Sequence, residues 1–232
     1  MKNKAAVYFI RHGQLAKPYN DHLTMSYDTL ADLALSKLNP GIRSNSPSVF
    51  HRQTKNLNLA DIKHIYYNNS GFQSRRSLES AKMIQAELKK MHGRSIPLRG
   101  LPELKEIKFY VKKLMPRDIY KIKGLALLRE KFFQAVLNNG AIERLNSIQK
   151  RAVKILAVAE RHELLGESVL FVTHDFFMRF LELALKNPKQ KITVPTLNKT
   201  HLNEYFGGFA VNSQNNKLKF FGQRLKWEKQ DK

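Results

Sequence analysis

The chain has 232 residues, with 41 Lys plus Arg against 19 Asp plus Glu, and no cysteine. A hydrophobic share of 42%, with 14 Phe and 8 Tyr, supplies enough apolar surface for a core and excludes a wholly disordered chain. The missing cysteines exclude disulfides, thiolate metal sites and cysteine nucleophiles, while the formal net charge of +22 favours an anionic partner without naming one.

A genome biased towards lysine and asparagine would produce the same charge, so charge alone assigns no function. No stretch reaches the roughly 18 uninterrupted apolar residues of a membrane span. The apolar run ending at Ile10 stops at Arg11, short of a signal-peptide core. The expectation is a cytoplasmic protein with no membrane span and an oligomeric state the sequence does not specify.

Ala6 to Ile10 is a continuous apolar run and predicts a buried parallel strand. Leu30, Leu33, Ala34 and Leu38 carry helical spacing within residues 25 to 38. Asn39 to Lys55 is polar and holds Pro40, Gly41 and Pro47, which predicts a loop. A strand over Ile62 to Tyr67 precedes a helix through Leu78, Ala81, Ile84 and Leu88, and Pro97 to Leu104 predicts a third extended segment.

Residues 107 to 140 interrupt this alternation, with Pro116 as a break and Gly140 as a stop. From Lys108 to Lys131 they carry eight basic residues against Asp118 and Glu130. Leu145, Ile148, Ala152, Ile155, Leu156 and Ala159 then share one face of a long helix, which Gly166 terminates. Ser168 to Thr173 predicts a strand and Phe176 to Leu185 a helix, with Phe176, Phe177 and Phe180 read as core. Two strands or a hairpin, Glu204 to Val211 and Leu218 to Phe221, precede a charged tail. Together these predict an α/β fold: a three-layer αβα sandwich with a mostly parallel central sheet, one domain over residues 1–232. Residues 107–140 are expected as a helical insert, a lid over the active site.

In such sheets ligands bind beyond the carboxyl ends of the strands. The first strand delivers Arg11-His12-Gly13 there, and the late strand delivers Thr173-His174-Asp175. Arg75-Arg76 opens the helix after the second strand, and Glu106 follows the third extended segment. Neutral imidazole is a competent nucleophile. Arginine matches phosphate oxygens and stays charged. Phosphoryl transfer depends on positioning and charge stabilisation, so two Arg, a second His and a carboxylic acid suffice without metal. The other histidines, His22, His51, His64, His92, His162 and His201, show no metal-ligand spacing.

Val7-Tyr8-Phe9-Ile10-Arg11-His12-Gly13-Gln14 resembles the opening strand and RHG motif of the histidine phosphatase superfamily, the phosphoglycerate mutase-like family. Arg76-Ser77-Leu78-Glu79-Ser80-Ala81, Leu104-Lys105-Glu106-Ile107 and Val172-Thr173-His174-Asp175 are similar, in order, to its helical arginine, acid and second-histidine segments. The resemblance spans roughly residues 5 to 185. It implies His12 as the nucleophile, Arg11, Arg76 and His174 as phosphate ligands, and Glu106 as the acid that later activates water. It implies no metal and no cofactor.

The chain departs from the family pattern in four places. Leu15 and Pro18 stand where a small hydroxyl residue and a phosphate-holding Asn are usual, with Asn20 out of register. Ser70-Gly71-Phe72-Gln73 replaces the small-Pro pair before the helical arginine, so Arg75 competes with Arg76. Asp175 resembles the acid of the acid-phosphatase branch, making it an alternative acid. It also suits a helix N-cap. The continuation Ile107-Lys108-Phe109-Tyr110 lacks the Gly-rich segment of mutases, so hydrolysis is expected rather than mutase activity.

The leading expectation is a phosphatase for a small phosphorylated metabolite, with Lys112, Lys113, Arg117, Lys121 and Lys123 available to grip further negative charge. A phosphoprotein phosphatase for phosphohistidine or phosphotyrosine is the second. A non-catalytic basic module is the third; nucleic acid is its conceivable partner, but no binding motif supports it.

Overall fold

The structure is a computed structural model that describes residues 5–19, 25–140, 143–186, 191–201, 203–212 and 217–222. Asn20, His22 and the charged tail lie outside the described residues. Six strands form one sheet in the order β3-β2-β4-β1-β5-β6. They are β1 (Val7–Arg11), β2 (Ile62–Tyr67), β3 (Leu98–Gly100), β4 (Ser168–Thr173), β5 (Gly208–Asn212) and β6 (Lys217–Phe221). β1, β4, β2 and β3 run parallel, while β5 and β6 add an antiparallel hairpin at the β1 edge. The architecture is the expected sandwich with a mostly parallel sheet.

Alternate residues of the central strands feed two cores, as the two-residue period of a strand demands. Tyr8, Ile10, Leu170 and Val172 face α2 (Ser46–Thr54) and α3 (Ser74–His92), where Phe50, Ala81, Ile84 and Leu88 are buried. Val7, Phe9, Val169 and Phe171 face the other layer. That layer holds α5 (Arg117–Leu137), α6 (Leu145–Leu164) and α7 (Asp175–Lys186), with Phe132, Phe133, Ile148, Ile155, Phe177 and Phe180 at its centre. Both faces are therefore covered, which is why β1 and β4 read as unbroken apolar runs.

Three local expectations need correction. The polar stretch 39–55 is not all loop, because α2 occupies its second half. Pro47 sits in the first turn, where its missing N–H costs nothing, and Phe50 anchors the helix in the core. The helix expected within 25–38 shortens to α1 (Tyr27–Ala34). The insert forms a single turn, α4 (Val111–Leu114), then α5 after the Pro116 break. α5 closes with Asn139 in the left-handed conformation (φ 54°) and the Gly140 N–H on the Ala135 carbonyl, so Asn139 takes the role expected of glycine. Gly124 (φ 62°, ψ −156°) kinks α5.

Gly208 shows where the sheet tolerates no side chain. It lies on β5 against β1, and a Cβ there would stand 1.9 Å from the Phe9 carbonyl oxygen, which is backbone and cannot rotate aside. Gly208→Ala is expected to cost about 2–3 kcal/mol, whereas Gly140→Ala, 3.7 Å from its nearest neighbour, should stay within about 0.5 kcal/mol. Urea unfolding midpoints at unchanged slope would measure both.

Candidate active site

β1 and β4 pair in register with Arg11 opposite Thr173. The next residue of each strand is a histidine, so the sheet itself sets His12 beside His174, with ring centroids 4.9 Å apart. The His12 N–H donates to the Thr173 carbonyl at 2.9 Å. His12 Nδ1 lies 2.7 Å from the Gly13 carbonyl oxygen, which can only accept. Nδ1 therefore carries the proton, and Nε2 keeps a lone pair. Burial above all, then Arg76, His174 and Arg11, holds the His12 pKa well below the usual imidazole range. His174 is completely buried, and neither ring nitrogen has a hydrogen-bond partner. Burial, Arg76, Arg11 and Arg151 lower it in the same way.

Two guanidinium groups flank the imidazoles. Arg11 Nη1 donates to the Asn203 carbonyl at 2.6 Å, and its plane lies over the Tyr205 ring at 4.2 Å. Arg76 comes from the first turn of α3 and donates to Gln73 Oε1. Burial lowers its pKa to about 10, although the Glu106 carboxyl works the other way. Both Nε atoms are buried without an acceptor. Arg75 leaves the site and pairs with Glu79 on the surface at 2.8 Å. The register of α3 decides between the two arginines: Ser77 Oγ donates to the Val172 carbonyl, and Ser80 Oγ accepts the Gly13 N–H at 2.8 Å. Those bonds turn the Arg76 face of the helix towards the strand ends.

Glu106 reaches the site from the other layer. A 3₁₀ turn (Pro102–Leu104) precedes it, held by Thr173 Oγ1 on the Leu104 carbonyl and by Arg151 Nη1 on the Glu103 and Lys105 carbonyls. Glu106 Oε1 accepts the N–H groups of Ile107 (2.9 Å) and Phe177 (3.0 Å), while Oε2 accepts only that of Phe176 at 3.3 Å. The carboxyl thus closes the amino end of α7. Burial pushes its pKa up to about 7, against the opposing pull of those N–H groups and Arg76. It is a group poised between acid and carboxylate near neutrality.

Asp175 is not the N-cap of α7. It is the first helical residue, and its Oδ1 accepts the Asn203 N–H at 3.2 Å while Oδ2 meets Arg179 Nε at 3.4 Å. Arg11, His12, Arg76, Glu106 and Asp175 nevertheless line one cavity of about 120 Å³. Its remaining wall is mostly apolar, from Leu15, Leu30, Leu33, Ala34, Phe109 and Phe176. Phe176 therefore belongs to the cleft as well as the core.

Lys112, Lys113, Arg117, Lys121 and Lys123 do not line this cavity; another basic residue of the insert, Arg129, does. Lys112 and Arg117 pair with Asp28, and the Lys113 ammonium lies over the Tyr110 ring. Sequence reasoning missed Gln73, Asn203 and Tyr205. Gln73 holds a left-handed backbone (φ 50°), donates from Nε2 to the Leu33 carbonyl and fixes the Arg76 guanidinium, where the family pattern has a proline.

No protein-family model and no curated protein matches the sequence. Solved structures do match along nearly the whole chain. Bacillus stearothermophilus YhfR is 22% identical, with 93% of this chain and 95% of that one covered and a TM-score of 0.60. Phosphoserine phosphatase from Entamoeba histolytica, solved with 3-phosphoglyceric acid, is 14% identical, with coverages of 94% and 97% and a TM-score of 0.60. Phosphoglycerate mutase from Bacillus anthracis is 15% identical, with coverages of 96% and 93% and a TM-score of 0.57. The chain shares the fold of these phosphatase and mutase structures. Within that fold, Arg11 and His12, Arg76, Glu106 and His174 meet at one end of the sheet. Among the described residues no helix is long and apolar enough to cross a membrane.

Two buried arginine Nε–H donors without acceptors, beside a His174 ring whose nitrogens have no partner, make a pocket suited to an anion. Arg76→Ala should weaken inhibition by orthovanadate at least about tenfold, while Arg75→Ala leaves it within about twofold, since Arg75 makes only a surface pair. Inhibition constants measured side by side would test this assignment.

Proposed function

We propose that the chain is a phosphatase that hydrolyses a phosphate monoester through a phosphohistidine on His12. The observation that carries this reading is the His12 tautomer: the Gly13 carbonyl accepts a hydrogen bond from Nδ1–H and leaves Nε2 as a nucleophile beside the Arg11 and Arg76 guanidinium groups. In the first step the Nε2 lone pair attacks phosphorus and the ester P–O bond breaks. Glu106 passes its proton to the leaving oxygen. Arg11, Arg76 and His174 bear the charge on the peripheral oxygens. In the second step the Glu106 carboxylate takes a proton from water, whose oxygen attacks phosphorus as the P–N bond breaks. Oε2 is the freer Glu106 oxygen and suits both transfers.

Glu106 is preferred over Asp175 as the acid because burial raises its pKa to about 7, whereas the Asp175 carboxylate is ion-paired with Arg179. The substrate we infer is a small phosphorylated molecule. Phe109 and Arg129 bring residues 107–140 to the cavity wall, consistent with a lid, and the small, mostly apolar cavity suits a compact ester better than a folded phosphoprotein. The Entamoeba phosphoserine phosphatase, bound to 3-phosphoglyceric acid, has the same fold. So does a mutase, and release of inorganic phosphate rather than a rearranged ester is the outcome that favours hydrolysis.

His12→Ala should abolish hydrolysis of p-nitrophenyl phosphate in EDTA; retained activity would remove His12 from the mechanism. Wild-type turnover should decline as pH rises through about 7, where Glu106 loses the proton it must donate. Glu106→Gln should lower kcat about 10²–10⁴-fold and remove that limb from the pH profile. Persistence of the limb in Glu106→Gln, with its loss in Asp175→Asn, would transfer the acid role to Asp175.

A further inference from the structure

At the amino end of the parallel strands, across the sheet from His12, two histidines and a glutamate converge. His64 stands on β2, opposite Val169 of β4. His162 lies in the last turn of α6, and Glu167 follows that helix. Their spacing in sequence carries no motif; the turn at Gly166 creates the cluster. Gly166 takes the left-handed conformation (φ 70°), its N–H bonds the Glu163 carbonyl, and the Glu167 N–H bonds the His162 carbonyl at 2.8 Å. This double closure folds the chain back so that Glu167 returns over His162.

The geometry points to a second site: we propose that His64, His162 and Glu167 bind one divalent transition-metal ion of the zinc class, separate from the phosphate cleft. One ligand atom from each residue lies within 4.8 Å of the others. His162 Nδ1 is 2.7 Å, and His64 Nε2 3.8 Å, from Glu167 Oε2. A tetrahedral ion with bonds near 2.0–2.1 Å needs ligands about 3.3 Å apart, a value between those two. Two imidazoles and a carboxylate form a donor set suited to zinc, with the fourth position open to solvent. The cluster opens into a surface cavity bordered by Tyr66, Arg99, Arg161 and Leu165.

An outer partner is already in position. The Tyr66 hydroxyl lies 2.7 Å from His162 Nε2 and turns Nδ1 towards Glu167. With the ion on Nδ1, the ring proton moves to Nε2 and donates to the Tyr66 oxygen, the arrangement that orients metal-bound histidines. One contact opposes binding. Arg99 Nε donates to His64 Nδ1 at 3.1 Å, which keeps the proton on Nε2. When the ion takes Nε2, that proton shifts to Nδ1 and the exposed Arg99 side chain swings away. Arg99, Arg161 and Lys63 also set positive charge nearby, and they limit the affinity without blocking the site.

The test is zinc titration of the metal-stripped full chain in phosphate-free buffer, read against a chromophoric chelator. One ion per chain is expected, with His64→Ala and Glu167→Gln each weakening binding at least about tenfold. Arg99→Gln should tighten binding several-fold, a gain that a misfolded variant cannot give. Hydrolysis of p-nitrophenyl phosphate should be unchanged in His64→Ala. Absence of stoichiometric zinc, or zinc held equally well by His64→Ala and Glu167→Gln, would overturn the site; the latter would move the ion to another pair such as His12 and His174.

Discussion

Uncompensated positive charge in a desolvated pocket is the constraint on which the rest of this structure depends. Arg11 and Arg76 stand beside His12 and His174, and all four are nearly or wholly buried. Two unit charges about 4 Å apart interact by about 4 kcal/mol at an effective dielectric near 20. A third cation among them is therefore unfavourable, and both imidazoles stay neutral. Neutrality leaves the His12 lone pair free, while the guanidinium groups remain as fixed donors. The pocket gains most from an occupant with negative charge on several oxygens.

Holding such a pocket together requires bonds from every layer. The parallel register of β1 and β4 fixes the histidine pair, and Ser77 and Ser80 lock α3 to the same strand ends. From the other face, Arg151 and Thr173 clamp the turn that carries Glu106, and Glu106 in turn closes the amino end of α7. The last link matters chemically. A helix amino end attracts negative charge, yet burial outweighs it here and the carboxyl still holds its proton up to about pH 7. Moving this carboxyl into water would lose both the cap and the raised pKa.

Legibility in the sequence followed the distance over which each determinant acts. The bounds of β2 and β4 match the expected strands residue for residue; β4, buried along its whole length, needs little more than continuous hydrophobicity, while β2 carries an exposed Lys63 between buried Ile62 and Ile65. His12, Arg76, Glu106 and His174 were visible because motifs lie at strand ends and helix starts. α2 was hidden by its polar composition: of its buried residues Ser46, Phe50, Gln53 and Thr54, Phe50 alone is apolar. Gln73 was invisible because its task, bracing Arg76 from a left-handed backbone, leaves no pattern in neighbouring residues. The His64, His162 and Glu167 cluster was hidden for another reason: His64 lies on a strand far along the chain from the helix end and turn that carry His162 and Glu167. Only the sheet register and the Gly166 turn bring them together.

Asp175 shows how adjacency in sequence and position in space can suggest different roles for one residue. Next to His174, it invites the role of acid. In space, its carboxylate joins Arg179, buried beneath the site, to the N–H of Asn203, whose carbonyl receives Arg11 Nη1. The series runs from a core guanidinium through a carboxylate and a peptide unit to the arginine at the cavity. Each link orients the next: without Asp175, the Asn203 peptide would lose its anchor and Arg11 its fixed acceptor. A buried arginine such as Arg179 is costly unless paired, and here the pair also helps to set the aim of Arg11 through Asn203. That use needs no proton transfer by Asp175, and it accounts for both carboxylates at the cavity: Glu106 tied to a helix end and free to titrate, Asp175 tied to a cation and committed to position.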